Sequence, residues 1–209
     1  WYILGQYAVT TRQLGASGDI PVPGDYDGDF ITDVAVWRPS TGVWTIIRSS
    51  NGTTMTVQWG GSGDIPVPGD YDGDGRTDIA IWRPSTGTWY DLGSYTTKTV
   101  QWGTFGDVPA PGDYDGDGIT DMAVFRPSTG MWYILGTYTV TTRQFGASGD
   151  IPVPGDYDGD GRYDIAVWKP STGTWSILRS SNGATTTIQW GTFGDVPAPR
   201  LITRSTAPG

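Results

Sequence analysis

Apolar residues along this chain fall into short runs, and nowhere do they recur at the spacing of a helix. Val34-Ala35-Val36-Trp37 is apolar at successive positions, the pattern of a strand buried on both faces. Val43-Trp44-Thr45-Ile46-Ile47 and Met55-Thr56-Val57-Gln58-Trp59 follow, rich in the β-branched and aromatic residues that strands favour. Pro39-Ser40-Thr41-Gly42 predicts a turn between the first two, because proline cannot donate to a ladder and glycine takes positive φ freely. Asn51-Gly52 predicts a tight hairpin between the second and third, with both residues at positive φ. Ahead of them, Ile20-Pro21-Val22-Pro23-Gly24 leads into a polar loop, Asp25 to Asp33.

The whole phrase then returns. Acidic loops begin at Asp25, Asp70, Asp113 and Asp156, so starts are 45, 43 and 43 residues apart. A fixed period of this length signals an array of one supersecondary unit. Each unit reads strand, acidic loop, strand, turn, strand, hairpin turn, strand, over about 20–59, 65–102, 108–145 and 151–190. Four short antiparallel strands per repeat predict an all-β fold, a β-propeller of four-stranded blades in a single domain, 1–209. Two remainders, 1–14 and 196–204, would make a fifth blade from both termini and close the sheet edges. Residues 1–68 also closely match 132–199, and the chain starts at Trp1, so it reads as a processed or excerpted segment of a longer array.

The acidic loop is where the candidate chemistry lies. Asp70-Tyr71-Asp72-Gly73-Asp74-Gly75-Arg76-Thr77-Asp78 carries aspartates at positions 1, 3, 5 and 9. Calcium takes six to eight oxygen ligands, which clustered carboxylates on a sharply turning backbone supply. The predicted ligands are Asp25, Asp27, Asp29 and Asp33 with the Ile31 carbonyl, then Asp70, Asp72, Asp74 and Asp78 with the Arg76 carbonyl. The third set is Asp113, Asp115, Asp117 and Asp121 with Ile119, and the fourth Asp156, Asp158, Asp160 and Asp164 with Arg162. An EF-hand would need glutamate at position 12, where this chain has Val36, Ile81, Val124 and Val167. Magnesium fits less well, since it keeps several waters and seldom uses an all-protein cage. Phe30 replaces the glycine found at Gly75, Gly118 and Gly161, a position expected to need positive φ, so the first site is expected to be the weakest of up to four.

Charge supports this reading. The net charge is −9 and the 22 acidic residues are all aspartate. Sixteen sit in the four loops, five (Asp19, Asp64, Asp107, Asp150, Asp195) recur before Ile/Val-Pro, and Asp91 stands alone. Four divalent cations would bring the total to −1. An acidic chain without a basic stripe argues against nucleic acid, and no apolar run is long enough to span a membrane as a helix. With no cysteine and no histidine, neither a Ser-His-Asp nor a Cys-His arrangement is possible within the chain, and the aspartates that could act as a carboxylate pair are committed to the loops, with Asp91 the lone uncommitted acid. A non-enzymatic role is expected.

Gly-Asp-Tyr-Asp-Gly-Asp-Gly-x-x-Asp-Ile-Ala-Val-Trp resembles the FG-GAP or VCBS repeats of integrin α-subunit propellers and of many secreted or surface bacterial proteins. The resemblance runs over residues 1 to about 199. It implies a propeller with calcium in the hairpin between the first two strands of a blade, and an extracellular, secreted or cell-surface location. The expected role is adhesion, protein interaction or surface assembly, with a protein or glycan partner or self-assembly. The alternatives are a carbohydrate-binding lectin and an accessory propeller of a larger secreted enzyme.

Three recurrent features compete for function. Trp37, Trp82 and Trp168 with Phe125, then Trp44, Trp89, Trp132 and Trp175, then Trp59, Trp102 and Trp190, recur once per unit. As exposed platforms they would suit sugars, but replacement by Phe fits packing between blades better. Arg38, Arg83, Arg126 and Lys169 are expected to pair with the aspartates before Ile/Val-Pro. Asn51-Gly52-Thr53 matches a glycosylation acceptor but is read as the hairpin turn.

Overall fold

In the computed structural model, residues 2–4 and 9–197 are described. β1 (Tyr2–Leu4) and β2 (Val9–Thr11) form an antiparallel pair. Blade 1 consists of β3 (Ile20–Pro21), β4 (Val34–Arg38), β5 (Val43–Ile47) and β6 (Thr54–Gln58). Blade 2 consists of β7 (Ile65–Pro66), β8 (Ile79–Arg83), β9 (Thr88–Leu92) and β10 (Thr97–Gln101). Blade 3 consists of β11 (Val108–Pro109), β12 (Met122–Arg126), β13 (Met131–Leu135) and β14 (Val140–Gln144). Blade 4 consists of β15 (Ile151–Pro152), β16 (Ile165–Lys169), β17 (Thr174–Leu178) and β18 (Thr185–Gln189). Each blade is an antiparallel sheet in chain order, and the four stand in a propeller ring. Among the described residues no helix is long and apolar enough to cross a membrane.

Among the described residues there are therefore four four-stranded blades, not the five expected from joining the termini. Val196 and Pro197 form no strand and Val196 is exposed, while 198–209 lie outside the described residues. A two-residue turn at Asn51-Gly52 is also corrected. The connection is longer: the Arg48 amide donates to the Thr53 carbonyl and the Gly52 amide to the Arg48 carbonyl, both at 2.9 Å. Only Gly52, with φ 72°, is left-handed there, so the turn is one of the longer hairpin loops rather than the two-residue type.

Burial grades outward from the ring axis. The second strand of each blade is largely buried on both faces, the third alternates in blades 1 to 3, and the fourth is largely exposed. One face of each blade presents its large aromatics and the next blade fills the gap with aliphatics. Trp37, Trp44 and Ile46 pack against Ile79 and Ile81, while Trp82 and Trp89 pack against Met122 and Val124. Phe125 and Trp132 pack against Val167 in the same way. Burying one such side chain is worth roughly 1.5–3 kcal/mol, so these gaps hold the ring together.

The tryptophans are thus packing residues, and most of their indoles also find acceptors, Trp168 Nε1 being buried without one. Trp37 and Trp44 donate to the Trp59 carbonyl, and Trp82 and Trp89 to that of Trp102. Trp59 and Trp102 reach across to the next blade, donating to the carbonyls of Tyr90 and Tyr133. Trp190, whose blade has no described neighbour on that side, is 76 % exposed.

Nearer the axis, amide-to-carbonyl bonds of 2.6–2.7 Å link successive loops: Thr77 to Asp25, Thr120 to Asp70, and Tyr163 to Asp113. The Pro-Gly-Asp segments that open the first three loops line an axial cavity of about 260 Å³. The acidic loops are therefore fixed to one another as well as to their own blades.

Candidate metal centre

Each acidic loop bridges the first and second strands of its blade, pinned by a single antiparallel bridge such as Gly69 to Asp78. The position-1 aspartate folds the loop around itself. Asp70 accepts the Gly73 amide at 2.7 Å and the Gly75 amide at 2.9 Å, and Asp25, Asp113 and Asp156 make the corresponding pair. Position 5 accepts the amide of position 7 at 2.8–2.9 Å in all four copies. Position 9 is buried and accepts the amide of position 2 at 2.8–3.0 Å.

These bonds bring three carboxylates together in every loop, with one oxygen of each within 4.8 Å of the others. In loops 2, 3 and 4 the trios are positions 1, 3 and 9: Asp70, Asp72, Asp78; Asp113, Asp115, Asp121; and Asp156, Asp158, Asp164. Asp74, Asp117 and Asp160 stand outside them, although the sequence places them in the same ligand sets. Loop 1 differs, gathering Asp25, Asp27 and Asp29 and leaving out Asp33.

Whether the loops suit a cation is tested by the oxygens that hydrogen bonding leaves over. Asp27 Oδ1, Asp121 Oδ1 and Asp158 Oδ1 are buried and have no partner. A buried acceptor left unsatisfied costs about 1–3 kcal/mol, and more when charged. Hard oxygens of this kind are what calcium takes, so the residues fit the ion. Electrostatics agree: burial first, then neighbouring carboxylates, pushes Asp78 and Asp121 up to about 7, against the opposing amides of Tyr71 and Tyr114. Asp33 and Asp70 are also raised, chiefly by burial.

Phe30 has φ 66°, the only left-handed non-glycine among the described residues, where Gly75, Gly118 and Gly161 have φ of 84–90°. The strain expected at loop 1 is present. Its ring is 75 % exposed, so no packing offsets it.

Two sets of supporting residues escape a reading of the loops alone. The tyrosine at position 2 anchors each loop, its hydroxyl donating to the carbonyls of Val22, Val67, Ala110 and Val153 at 2.6–2.7 Å. Its recurrence in all four copies was the available signal. Serines between the third and fourth strands of blades 1 and 4 also donate into the loops. The Ser49 amide bonds Asp33 and its hydroxyl Asp29, while the Ser50 hydroxyl bonds Asp27. Ser180 and Ser181 repeat this on Asp164, Asp160 and Asp158.

Away from the loops, Arg38, Arg83 and Arg126 pair with Asp19, Asp64 and Asp107 at 2.7–2.8 Å, as expected. Among the described residues Lys169 forms no such pair, and Asp150 Oδ1 is buried without a partner. Asn51 is part of its turn, its side-chain oxygen accepting the Thr53 amide at 2.9 Å.

The FG-GAP-like repeat family matches residues 70–124 and again 113–167. No curated protein matches the sequence. Among solved structures, a catalytically inactive H270A virginiamycin B lyase from Staphylococcus aureus, crystallised with quinupristin, superposes with a TM-score of 0.52 at 9 % identity. The alignment covers 87 % of this chain and 60 % of the lyase chain, so this chain spans less than two thirds of that structure. At this identity the likeness concerns the fold alone. The chain is a β-propeller whose residues 70–167 match FG-GAP-like repeats.

Proposed function

We propose that this protein is a calcium-stabilised, non-catalytic propeller that presents a binding surface to a protein or glycan partner outside the cell. The observation that carries the calcium reading is the set of buried, partnerless carboxylate oxygens at Asp27, Asp121 and Asp158, in loops that each gather three carboxylates. Bound there, calcium would supply the positive charge that the folded loops lack. The ligands would be the aspartates at positions 1, 3, 5 and 9 with the carbonyl at position 7. FG-GAP-like repeats fit an interaction or adhesion role, and they are typically non-catalytic. Extracellular modules bind calcium at millimolar levels with modest affinity, which suits loops that already satisfy part of their own charge.

Thermal melting tests the reading. A ligand that binds only the folded state at a hundred times its Kd stabilises by about 2.7 kcal/mol per site. Chelation by EDTA is expected to lower Tm by about 5 °C or more for each saturated site, and calcium, more than magnesium, is expected to restore it. An unchanged melting curve would overturn the assignment.

A further inference from the structure

A cavity of about 300 Å³ opens between blades 3 and 4. Three guanidinium-bearing residues line it: Arg143 on β14, Arg162 at position 7 of the fourth loop, and Arg179 just after β17. The repeat makes this convergence unusual. At the same three positions the gap between blades 1 and 2 has Val57, Arg76 and Gly93, and that between blades 2 and 3 has Val100, Ile119 and Gly136. Two blades thus contribute arginine at separate points of the sequence to one space.

None of the three is in an ion pair among the described residues, whereas Arg38, Arg83 and Arg126 each hold a carboxylate. Arg143 and Arg162 are exposed and Arg179 is half-buried, and the three guanidinium groups outnumber the two carboxylates of Asp115 and Asp121 on the same lining, which leaves positive charge for an anion. Guanidinium forks match a carboxylate with paired, parallel hydrogen bonds. Other parts of the lining narrow the ligand. Thr139 and Thr141 also line the cavity, and their hydroxyls donate to and accept from the hydroxyls of a ligand. Ile134 and Leu178 add an apolar strip. The volume lies at the lower end of small-molecule pockets, which run from roughly 300 to 1,000 Å³.

We propose that this gap binds a small polyhydroxylated carboxylate of the uronic-acid class. Arg143, Arg162 and Arg179 hold its carboxylate, Thr139 and Thr141 face its hydroxyls, and its ring lies against Ile134 and Leu178. The clamp uses the arginines and stands whether or not the loops hold cations.

Isothermal titration of the full chain with sodium glucuronate tests this, with glucose, acetate and sulfate as comparators and each run made in calcium and in EDTA. Saturable glucuronate binding is expected, at least ten-fold tighter than glucose or acetate. Arg143→Val and Arg162→Ile install residues that other blades already carry, and Arg179→Ala leaves the turn backbone in place, so these variants are expected to keep the parent's melting behaviour. Each is expected to weaken glucuronate at least ten-fold. Absent binding, equal binding by parent and triple variant, or sulfate and acetate binding as tightly as glucuronate would each overturn the proposal. A flat response of Tm to calcium would overturn the calcium reading and leave this result intact.

Discussion

Blades 1 and 4 differ from blades 2 and 3 in how they satisfy their acidic loops. In blades 1 and 4 the link between the third and fourth strands is Arg-Ser-Ser-Asn-Gly followed by Thr or Ala, and it folds back over the loop. The amide of its first serine bonds the position-9 aspartate, at 2.6 Å from Ser49 to Asp33 and 2.7 Å from Ser180 to Asp164. Blades 2 and 3 have the shorter Gly-Ser-Tyr-Thr and Gly-Thr-Tyr-Thr. There the Ser94 amide reaches Asp72 and not Asp78, and Asp121 keeps an oxygen without a partner. A two-residue change in link length decides whether protein donors reach the deepest carboxylate. Where they do not, more of the charge is left for a proton or a cation.

The largest expected effect is on pH dependence. Asp78 and Asp121 are pushed up to about 7 from 3.8, by burial first. A carboxyl whose folded pKa is raised binds more protons folded than unfolded between those values, so stability falls as pH rises through that window. In EDTA, the stabilising share from the protonated forms is fully present below about pH 4 and is lost as pH passes 7. Tm in EDTA should therefore drop between pH 5 and 7.5, and Asp78→Asn with Asp121→Asn should flatten the slope. With calcium present the drop should vanish, because the cation replaces the proton. A Tm that rises across this range in EDTA would contradict the comparison.

Next in size is the regional response to calcium removal, worth about 2.7 kcal/mol per site occupied at a hundred times its Kd. Hydrogen exchange on adding EDTA should rise more in β8 and β12 than in β4 and β16, whose loops keep their serine donors. Equal loss of protection in all four strands would erase the distinction between the blade pairs.

Blade 2 carries a further imbalance. Asp91 is wholly buried with neither oxygen partnered, at the strand position held by Ile46, Ile134 and Ile177 in the other blades. Its strand neighbour Lys98 donates instead to the Tyr71 carbonyl at 2.6 Å. Burial pushes the Asp91 carboxyl up to about 6, Lys98 opposing and Asp72 and Asp70 adding to the rise. Replacing buried charge with well-packed apolar residues is often stabilising, by about 1–4 kcal/mol. Asp91→Ile with Lys98→Met, the pair found at Ile46 and Met55, is expected to raise Tm in EDTA. Thermal melting measures it, and a fall in Tm would show that the buried carboxylate and its lysine neighbour stabilise the blade.

What the sequence made legible is what the repeat multiplies. The blade unit, the packing of Trp37 and Trp82, the ion pairs of Arg38, Arg83 and Arg126, and the φ of Phe30 all follow from comparing one copy with the next. The remainder depends on proximity across the chain. Ser49 lies twenty residues from Asp29, and Arg143, Arg162 and Arg179 come from two blades, so no local pattern announces their meeting. The exclusion of Asp74, Asp117 and Asp160 from the trios has the same origin, since all four loop aspartates are identical in sequence terms. The blade count depended on termini that fall partly outside the described residues.

The smallest expected effect isolates loop 1. Phe30 sits at φ 66° with its ring in solvent, and its loop gathers positions 1, 3 and 5 where the others gather 1, 3 and 9. A left-handed residue with a side chain costs of order 1 kcal/mol more than glycine. Phe30→Gly should therefore stabilise the chain by about that amount, even in EDTA. If strain at this residue also holds the carboxylates in their divergent arrangement, the variant should bind calcium more tightly at loop 1, bringing that site toward the other three in a calorimetric titration. Stabilisation without a gain in affinity would place the cause in the Ser49 and Ser50 donors, which already occupy Asp33, Asp29 and Asp27. Ser49→Ala and Ser50→Ala in the Phe30→Gly background would then decide it, because removing hydroxyls that compete for the same oxygens should raise calcium affinity while lowering stability in EDTA.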